Sequence, residues 1–330
     1  MNSKNNSTQS KNNLSHERNP GLELDLDWIH NIRINRSAVE RRAQTSGKRR
    51  SIKKDWQAAW LLKAISCIDL TTLAGDDTPG RVKRLCEKAK HPVRRDILNS
   101  LGMDYNQFHT GAVCVYHNFI ETALASLHGT NIPIAVVSTG FPAGQISYDQ
   151  KIEEIGASVA LGASEIDIVI SRQLVLTGKW TELYNEVSAF RKACGPAHLK
   201  TILATGELGT FTNVAKASVV CMMAGADFIK TSTGKESVNA TPPVSLVMIR
   251  AIRDYFDSTG YKVGFKPAGG IGKAKQSLEW LILMKEELGN DWLSPSLFRF
   301  GASSLLGDIE RQLEHFISGR YSASYRHPMG

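Results

Sequence analysis

The 330-residue chain is short of several things that would place it quickly. Its five cysteines, Cys67, Cys86, Cys114, Cys194 and Cys221, are odd in number, and none stands in a C-x-x-C pair. Most lie among apolar neighbours, which argues against a disulfide framework and for reduced thiols inside a cell. Its nine histidines include no H-E-x-x-H and no two residues four apart. A metal site is therefore not expected, and no other cofactor is called for. No apolar run is long enough to span a bilayer: the longest uncharged, small-apolar stretch covers only residues 217–226. The N-terminus is rich in Asn, Ser and Lys without an apolar signal core, so the expectation is a soluble, cytoplasmic protein.

Excess positive charge is also nearly absent from most of the chain. The net charge is +8, but residues 1–55 hold 12 Lys/Arg against 6 Asp/Glu, leaving the remainder almost balanced. The globular part thus carries no net-charge footprint for nucleic acid. Three regions follow: a polar tail without periodicity (1–21), a basic extension (22–55) and a large domain (56–330). Leu22, Leu24, Leu26, Trp28, Ile29 and Ile32 could pack on a surface. The basic run Arg41-Arg42, Lys48-Arg49-Arg50 and Lys53-Lys54 suits nuclear import, or binding of nucleic acid or a protein, but fits a solvated linker or helix face better. Trp56, Ala59, Trp60, Leu61, Ala64 and Ile65 recur at helical spacing, as in a helix that seals the domain.

The domain then alternates strand-like and helix-like segments. Eight strands are expected: 65–70, 112–116, 134–139, 165–170, 199–205, 228–231, 264–266 and 298–302. Helix start signals between them include Asp77-Thr78-Pro79, Thr212 and Pro242-Pro243. Eight βα units in about 270 residues predict an α/β protein of the (β/α)8 barrel class. A doubly wound sheet would want a glycine-rich turn after its first strand, where only Gly75 occurs.

Two of these strands end in a lysine where a hydrophobic residue is normal. In FIKTSTGK alternation puts Phe228 and Lys230 on one face; in GFKPAGG, Lys266 follows Gly264 and Phe265. Either lysine alone reads as a snorkelling surface side chain. Together, at strand ends with a glycine-rich turn behind, they point to a site. Adjacent strands lie about 4.8 Å apart. Two ammonium groups about 6 Å apart repel by roughly 3 kcal/mol at an effective dielectric near 20. That lowers one lysine's pKa by roughly two units before burial is counted. The resulting free amine can attack a carbonyl and form a Schiff base, an electron sink for carbon–carbon cleavage.

Other unusual residues fall at the same barrel end. Asp167 interrupts the apolar strand EIDIVI and is the candidate for moving protons, while Asp69 ends the first strand. Gly269-Gly270-Ile271-Gly272 and Gly301-Ala302-Ser303-Ser304 follow strands seven and eight, and are expected to open the helices there as a phosphate site, with Lys235 adding charge. Cys114 in AVCVY reads as a core thiol, since no His or Lys is placed to activate it.

The motifs DLTTLAGDDT, AVCVY, GFPAG, EIDIVI, TGELGT, ADFIKTSTGKESVNAT, GFKPAGGI and FGASSLL, in this order, closely resemble deoxyribose-phosphate aldolase in its longer, animal-type form. The resemblance runs from about residue 22 to about 321. It implies a TIM-barrel class I aldolase that reversibly cleaves 2-deoxy-D-ribose 5-phosphate to glyceraldehyde 3-phosphate and acetaldehyde, in deoxynucleoside breakdown. By position it makes Lys230 the Schiff-base lysine, Lys266 the lysine that perturbs it and Asp167 the proton-relay aspartate. It further implies that Asp69, Cys114, Thr233 and Lys235 form the substrate pocket, with Gly269, Gly270, Ser303 and Ser304 as phosphate cradle. His117 stands where the family usually has proline, and no role is assigned to Tyr321 or Tyr325. Two other readings compete: a lysine-dependent lyase of the transaldolase type, and an interaction protein working through its basic segment.

Overall fold

The computed structural model describes residues 18–328. The polar-tail expectation for residues 1–17 lies outside them. Eight parallel strands form the sheet: β1 (Ile68–Thr71), β2 (Ala112–Val115), β3 (Ile134–Ser138), β4 (Glu165–Val169), β5 (His198–Ile202), β6 (Phe228–Lys230), β7 (Gly264–Lys266) and β8 (Phe300–Ala302). Each pairs with its sequence neighbour, and β1 also pairs with β8. Bridges Phe265 to Phe298 and Ala268 to Gly301 join β7 to the β8 segment and close the ring. The expected barrel is therefore the observed one. Its strands read as continuous apolar runs because helices cover them outside and side chains fill them inside.

Local chemistry sets the helix starts. Thr78 caps Pro79–Lys90, Ser147 forms a capping box with Gln150 at Tyr148–Ala160, and Thr241 caps Pro242–Thr259. Two expected boundaries move. The helix before β6 begins two residues before the expected signal: its cap is Thr210, which accepts from Asn213 N, so Thr212 lies inside Phe211–Met223. The sealing helix runs Lys54–Ser66 and takes Ala64 and Ile65 with it, so β1 starts at Ile68 rather than 65. Trp56, expected on its packing face, is 75% exposed.

The N-terminal region grips the barrel more closely than its composition suggests. Residues 18–21, read as part of the tail, are anchored. Asn19 is buried; its N–H donates to Asp227 Oδ1 (3.0 Å) and its Nδ2 to the carbonyls of Met222 (2.8 Å) and Ala226 (2.9 Å). These acceptors belong to the last turn of the helix Phe211–Met223 and the turn that leads into β6, where buried polar groups need partners. Ile29 is wholly buried, and Leu22, Leu24, Trp28 and Ile32 pack against the main core. The helix Arg36–Arg49 lies on Pro242–Thr259 and Ala274–Leu288. Part of the basic run is thus paired rather than solvated: Arg42 meets Glu286 (3.0 Å) and Glu287 (3.2 Å), and Arg50 meets Glu286 (3.0 Å). Among the described residues no helix is long and apolar enough to cross a membrane.

Candidate active site

β6 and β7 are in register with Lys230 opposite Lys266, so both side chains enter the barrel interior at the same level. The space they need comes from glycine. A Cβ on Gly264 would lie 2.3 Å from the Phe228 ring, and one on Gly301 only 2.8 Å from Ala268 Cβ and 3.4 Å from Lys266 Cε. Both ammonium groups donate to one oxygen, Asp167 Oδ2, from 2.8 Å (Lys230) and 2.7 Å (Lys266). Asp167 Oδ1 accepts no hydrogen bond, although Lys200 Nζ from β5 lies 3.3 Å away. Lys266 also bonds Asp69 Oδ2, which Lys200 reaches at 3.0 Å. Lys200 continues to Glu165, and Arg299 closes the base of the network by bonding both Asp69 and Glu165. All seven groups are buried.

Burial and these contacts split the lysines. Burial lowers the pKa of Lys230; Asp167 pulls it back up and Lys266 lowers it again, so it stays below the ordinary lysine value. Burial also acts to lower Lys266, but Asp167 and Asp69 outweigh it and the net shift is upward. Lys200 likewise shifts up, against burial, through Asp167, Asp69 and Glu165. Repulsion from Lys266, the cause counted from the sequence before burial, acts in the expected direction but ranks behind desolvation. Burial pushes Asp167 up, but Lys200, Lys230 and Lys266 together hold it well below the carboxylate range.

Above this network opens a cavity of about 510 Å³ at the C-terminal barrel end. Lys230 is the one interior cation on its wall. Opposite stand Gly269 and Gly270, with φ of +81° and +78°, then Ser303 and Ser304 at the start of the helix Ser304–Ser318. Positive φ turns the peptide groups of this loop in a way a side chain would oppose. At Gly269 a Cβ would also come within 2.5 Å of Asn239. The expected helix opening at Gly269–Gly272 is corrected: the helix begins at Ala274, and Gln276 Oε1 already takes the N–H groups of Gly272 and Lys273. On the cavity wall this leaves the loop glycines and the N-terminus of Ser304–Ser318.

A family model described as DeoC/LacD family aldolase matches residues 63–306. The chain belongs to this family of aldolases. It is 63% identical over 311 residues to the mouse deoxyribose-phosphate aldolase, covering 94% of this chain and 98% of that one. The human deoxyribose-phosphate aldolase is 61% identical over 313 residues, with the same coverage. A solved deoxyribose phosphate aldolase structure from Aeropyrum pernix, 20% identical, superposes with a TM-score of 0.58 over 85% of this chain and 99% of that one. At that identity the likeness speaks for the fold.

In this aldolase Lys230, Thr233, Lys235, Gly269, Gly270, Ser303 and Ser304 line one cavity, as expected. Lys266 and Asp167 lie directly beneath it. Asp69 and Cys114 do not line it. Asp69 sits lower, in the ionic network, and Cys114 is packed with Ala135, Val137, Phe141, Val169 and Ile202. Burial raises the Cys114 thiol, in keeping with a core residue, but the expectation that no lysine stands near it is corrected: Lys266 and Lys230 both act to lower it. Thr233 and Gly234 are fixed by Glu236, whose carboxylate accepts from both backbone N–H groups and from Thr233 Oγ1. Tyr321 and Tyr325 are exposed and away from the cavity.

Sequence reasoning missed Lys200, Glu165, Arg299 and Glu236. Three of them had a signal. Lys200 is a charge inside an apolar strand, like Asp167. Glu165 stands two residues before Asp167, and Arg299 two before Gly301, hence on the same strand faces. Glu236 had none, because its partners are backbone groups of a loop.

Proposed function

We propose that this aldolase reversibly cleaves 2-deoxy-D-ribose 5-phosphate to glyceraldehyde 3-phosphate and acetaldehyde through an imine on Lys230. One observation carries the assignment: of the four cations in the barrel interior, only Lys230 reaches the cavity, and it is also the one whose pKa is depressed. The unprotonated amine adds to the aldehyde carbon of the open-chain sugar, giving a carbinolamine that loses water to form the imine. As the C3 hydroxyl gives up its proton, the C2–C3 bond breaks and its electron pair flows into the protonated imine. Glyceraldehyde 3-phosphate leaves, and a two-carbon enamine stays on Lys230. Protonation of that enamine carbon and addition of water release acetaldehyde and restore the amine.

Each step moves a proton beside Lys230, where Asp167 and Lys266 share a hydrogen bond. Lys266 holds a proton to lend, and the free lone pairs of Asp167 Oδ1 can accept one, directly or through water. The 5-phosphate fits between the loop at Gly269 and Gly270 and the helix N-terminus at Ser303 and Ser304, with Lys235 adding charge. Such a reaction belongs to catabolism of deoxyribose phosphate. The five buried, free cysteines suit the reducing cytoplasm.

Purified protein mixed with 2-deoxyribose 5-phosphate should release acetaldehyde. Borohydride added with substrate should inactivate it and label the peptide carrying Lys230. Absence of acetaldehyde would sink the substrate assignment, and labelling confined to another lysine would sink the role of Lys230.

A further inference from the structure

The interior network has an odd charge inventory. Three carboxylates (Asp69, Glu165, Asp167) face four basic groups (Lys200, Lys230, Lys266, Arg299), all buried. A buried space of low dielectric favours matched charge, so one of the four is in surplus. The contacts identify it. Lys200 touches all three carboxylates, Lys266 touches Asp69 and Asp167, and Arg299 touches Asp69 and Glu165. Lys230 touches Asp167 alone, on an oxygen it shares with Lys266. The cheapest proton to lose is therefore on Lys230. Arginine cannot lose one, so Arg299 permanently occupies two of the three carboxylates.

We propose that Arg299 is a positioning residue: by engaging Asp69 and Glu165 at the base of the barrel, it makes Lys230 the surplus cation and so holds it as a free amine. Without Arg299, three lysines would match three carboxylates, and Lys230 would keep its proton at neutral pH. Loss of Glu165 should act in the opposite sense, leaving a second surplus cation. Other ionisable groups face the network. Cys67 stands beside Arg299, with its thiol pushed up to about 11 by burial, and Cys114 stands beside Lys230. Lys235 shares the upper cavity with Lys230. Glu165 and Arg299 line a second cavity of about 400 Å³ at the opposite barrel end, together with His109 and His198. Wild type and variant have these residues in common, so a difference between them reports the loss of the guanidinium. The second cavity also gives a small cation a way in.

This inference rests on Lys230 being the imine-forming lysine. The test is the pH dependence of borohydride trapping and of kcat/KM for 2-deoxyribose 5-phosphate in wild type, Arg299→Lys, Arg299→Ala and Glu165→Gln. Arg299→Ala should move the rising limb at least about one unit to higher pH, a loss of roughly tenfold or more at neutral pH. Arg299→Lys should stay near the wild-type profile, and guanidinium ion added to Arg299→Ala should move the limb back. Glu165→Gln should shift it to lower pH. A folded Arg299→Ala with an unmoved limb overturns the proposal. If that variant does not fold, Glu165→Gln decides: a shift to lower pH supports the proposal, and an unmoved or upward limb overturns it. Trapping of wild type at a lysine other than Lys230 would instead overturn the functional reading, independently of any profile.

Discussion

The role proposed for Asp167 makes two demands that pull against each other. A proton carrier should give and take protons easily, yet the neighbouring lysines, Lys200 first, hold Asp167 ionised. The arrangement works if Asp167 exchanges protons as a pair with Lys266, since the proton then moves along an existing hydrogen bond. Asp167→Asn should therefore fail in two ways. General acid–base catalysis is typically worth roughly 10²–10⁴-fold, and a loss of kcat in that range is expected. Removing one partner from a buried ion cluster costs about 3–5 kcal/mol, so the melting temperature should fall too. Turnover measured well below the lowered Tm separates the effects: normal kcat there would make Asp167 purely structural. Lys230, Lys266 and Asp167 were legible in the sequence because a charge in an apolar strand is conspicuous. The order of causes acting on Lys230 was not, since it depends on how completely the barrel closes over the side chain.

At the level of strands, the site depends on residues that make room. Gly264 begins β7 opposite Phe228, whose ring fills the place a Cβ would take. That ring lies under Lys200 and Arg299, with the lysine nitrogen 5.8 Å and the guanidinium carbon 6.0 Å from its centre. Gly264→Ala should therefore overpack the base of the network. A loss of about 1–3 kcal/mol is expected, read as a lower midpoint in urea unfolding. An unchanged midpoint would mean that the Phe228 ring can move aside freely. Capping residues such as Thr78, Ser147 and Thr241 announce their helices, because a cap acts within a few residues of itself. The glycine loops on the cavity wall were only half legible. Glycine runs mark them, but Gln276 settles which N–H groups remain free.

For the whole molecule, the N-terminal region is the sharpest test of stability apart from activity. A chain lacking residues 1–17 is the reference for one lacking residues 1–21. Removing residues 1–21 takes away Asn19, which also accepts from Tyr255 OH (3.1 Å), and leaves buried groups around β6 unpaired. Each such group costs about 1–3 kcal/mol, so a clear drop in Tm is expected with turnover retained at low temperature. Equal melting of both truncated chains would remove Asn19 from the account. Acid should expose the interior network. Asp69, Asp167 and Glu165 are all lowered from their ordinary values, despite burial, by their basic neighbours. Their contribution is therefore full above about pH 4–5 and is lost as pH falls toward those lowered values. Thermal melts should show a steep loss of stability below about pH 4; a Tm at pH 3 equal to that at pH 7 would contradict this.

The barrel, the order of its strands, the paired lysines and the aspartate between them were written in local patterns: alternation within strands, caps before helices, and charges where apolar residues belong. These are properties of neighbours in the chain, and a sequence displays them directly. Tertiary structure alone decided that Lys200, Glu165 and Arg299 join the same network, that Asp69 lies under the cavity instead of on its wall, and that Asn19 ties the start of the described chain to the turn before β6. Those contacts join residues 35 to 230 positions apart. They exist because ring closure brings all eight strands around one small interior, where buried charges meet their partners across the barrel.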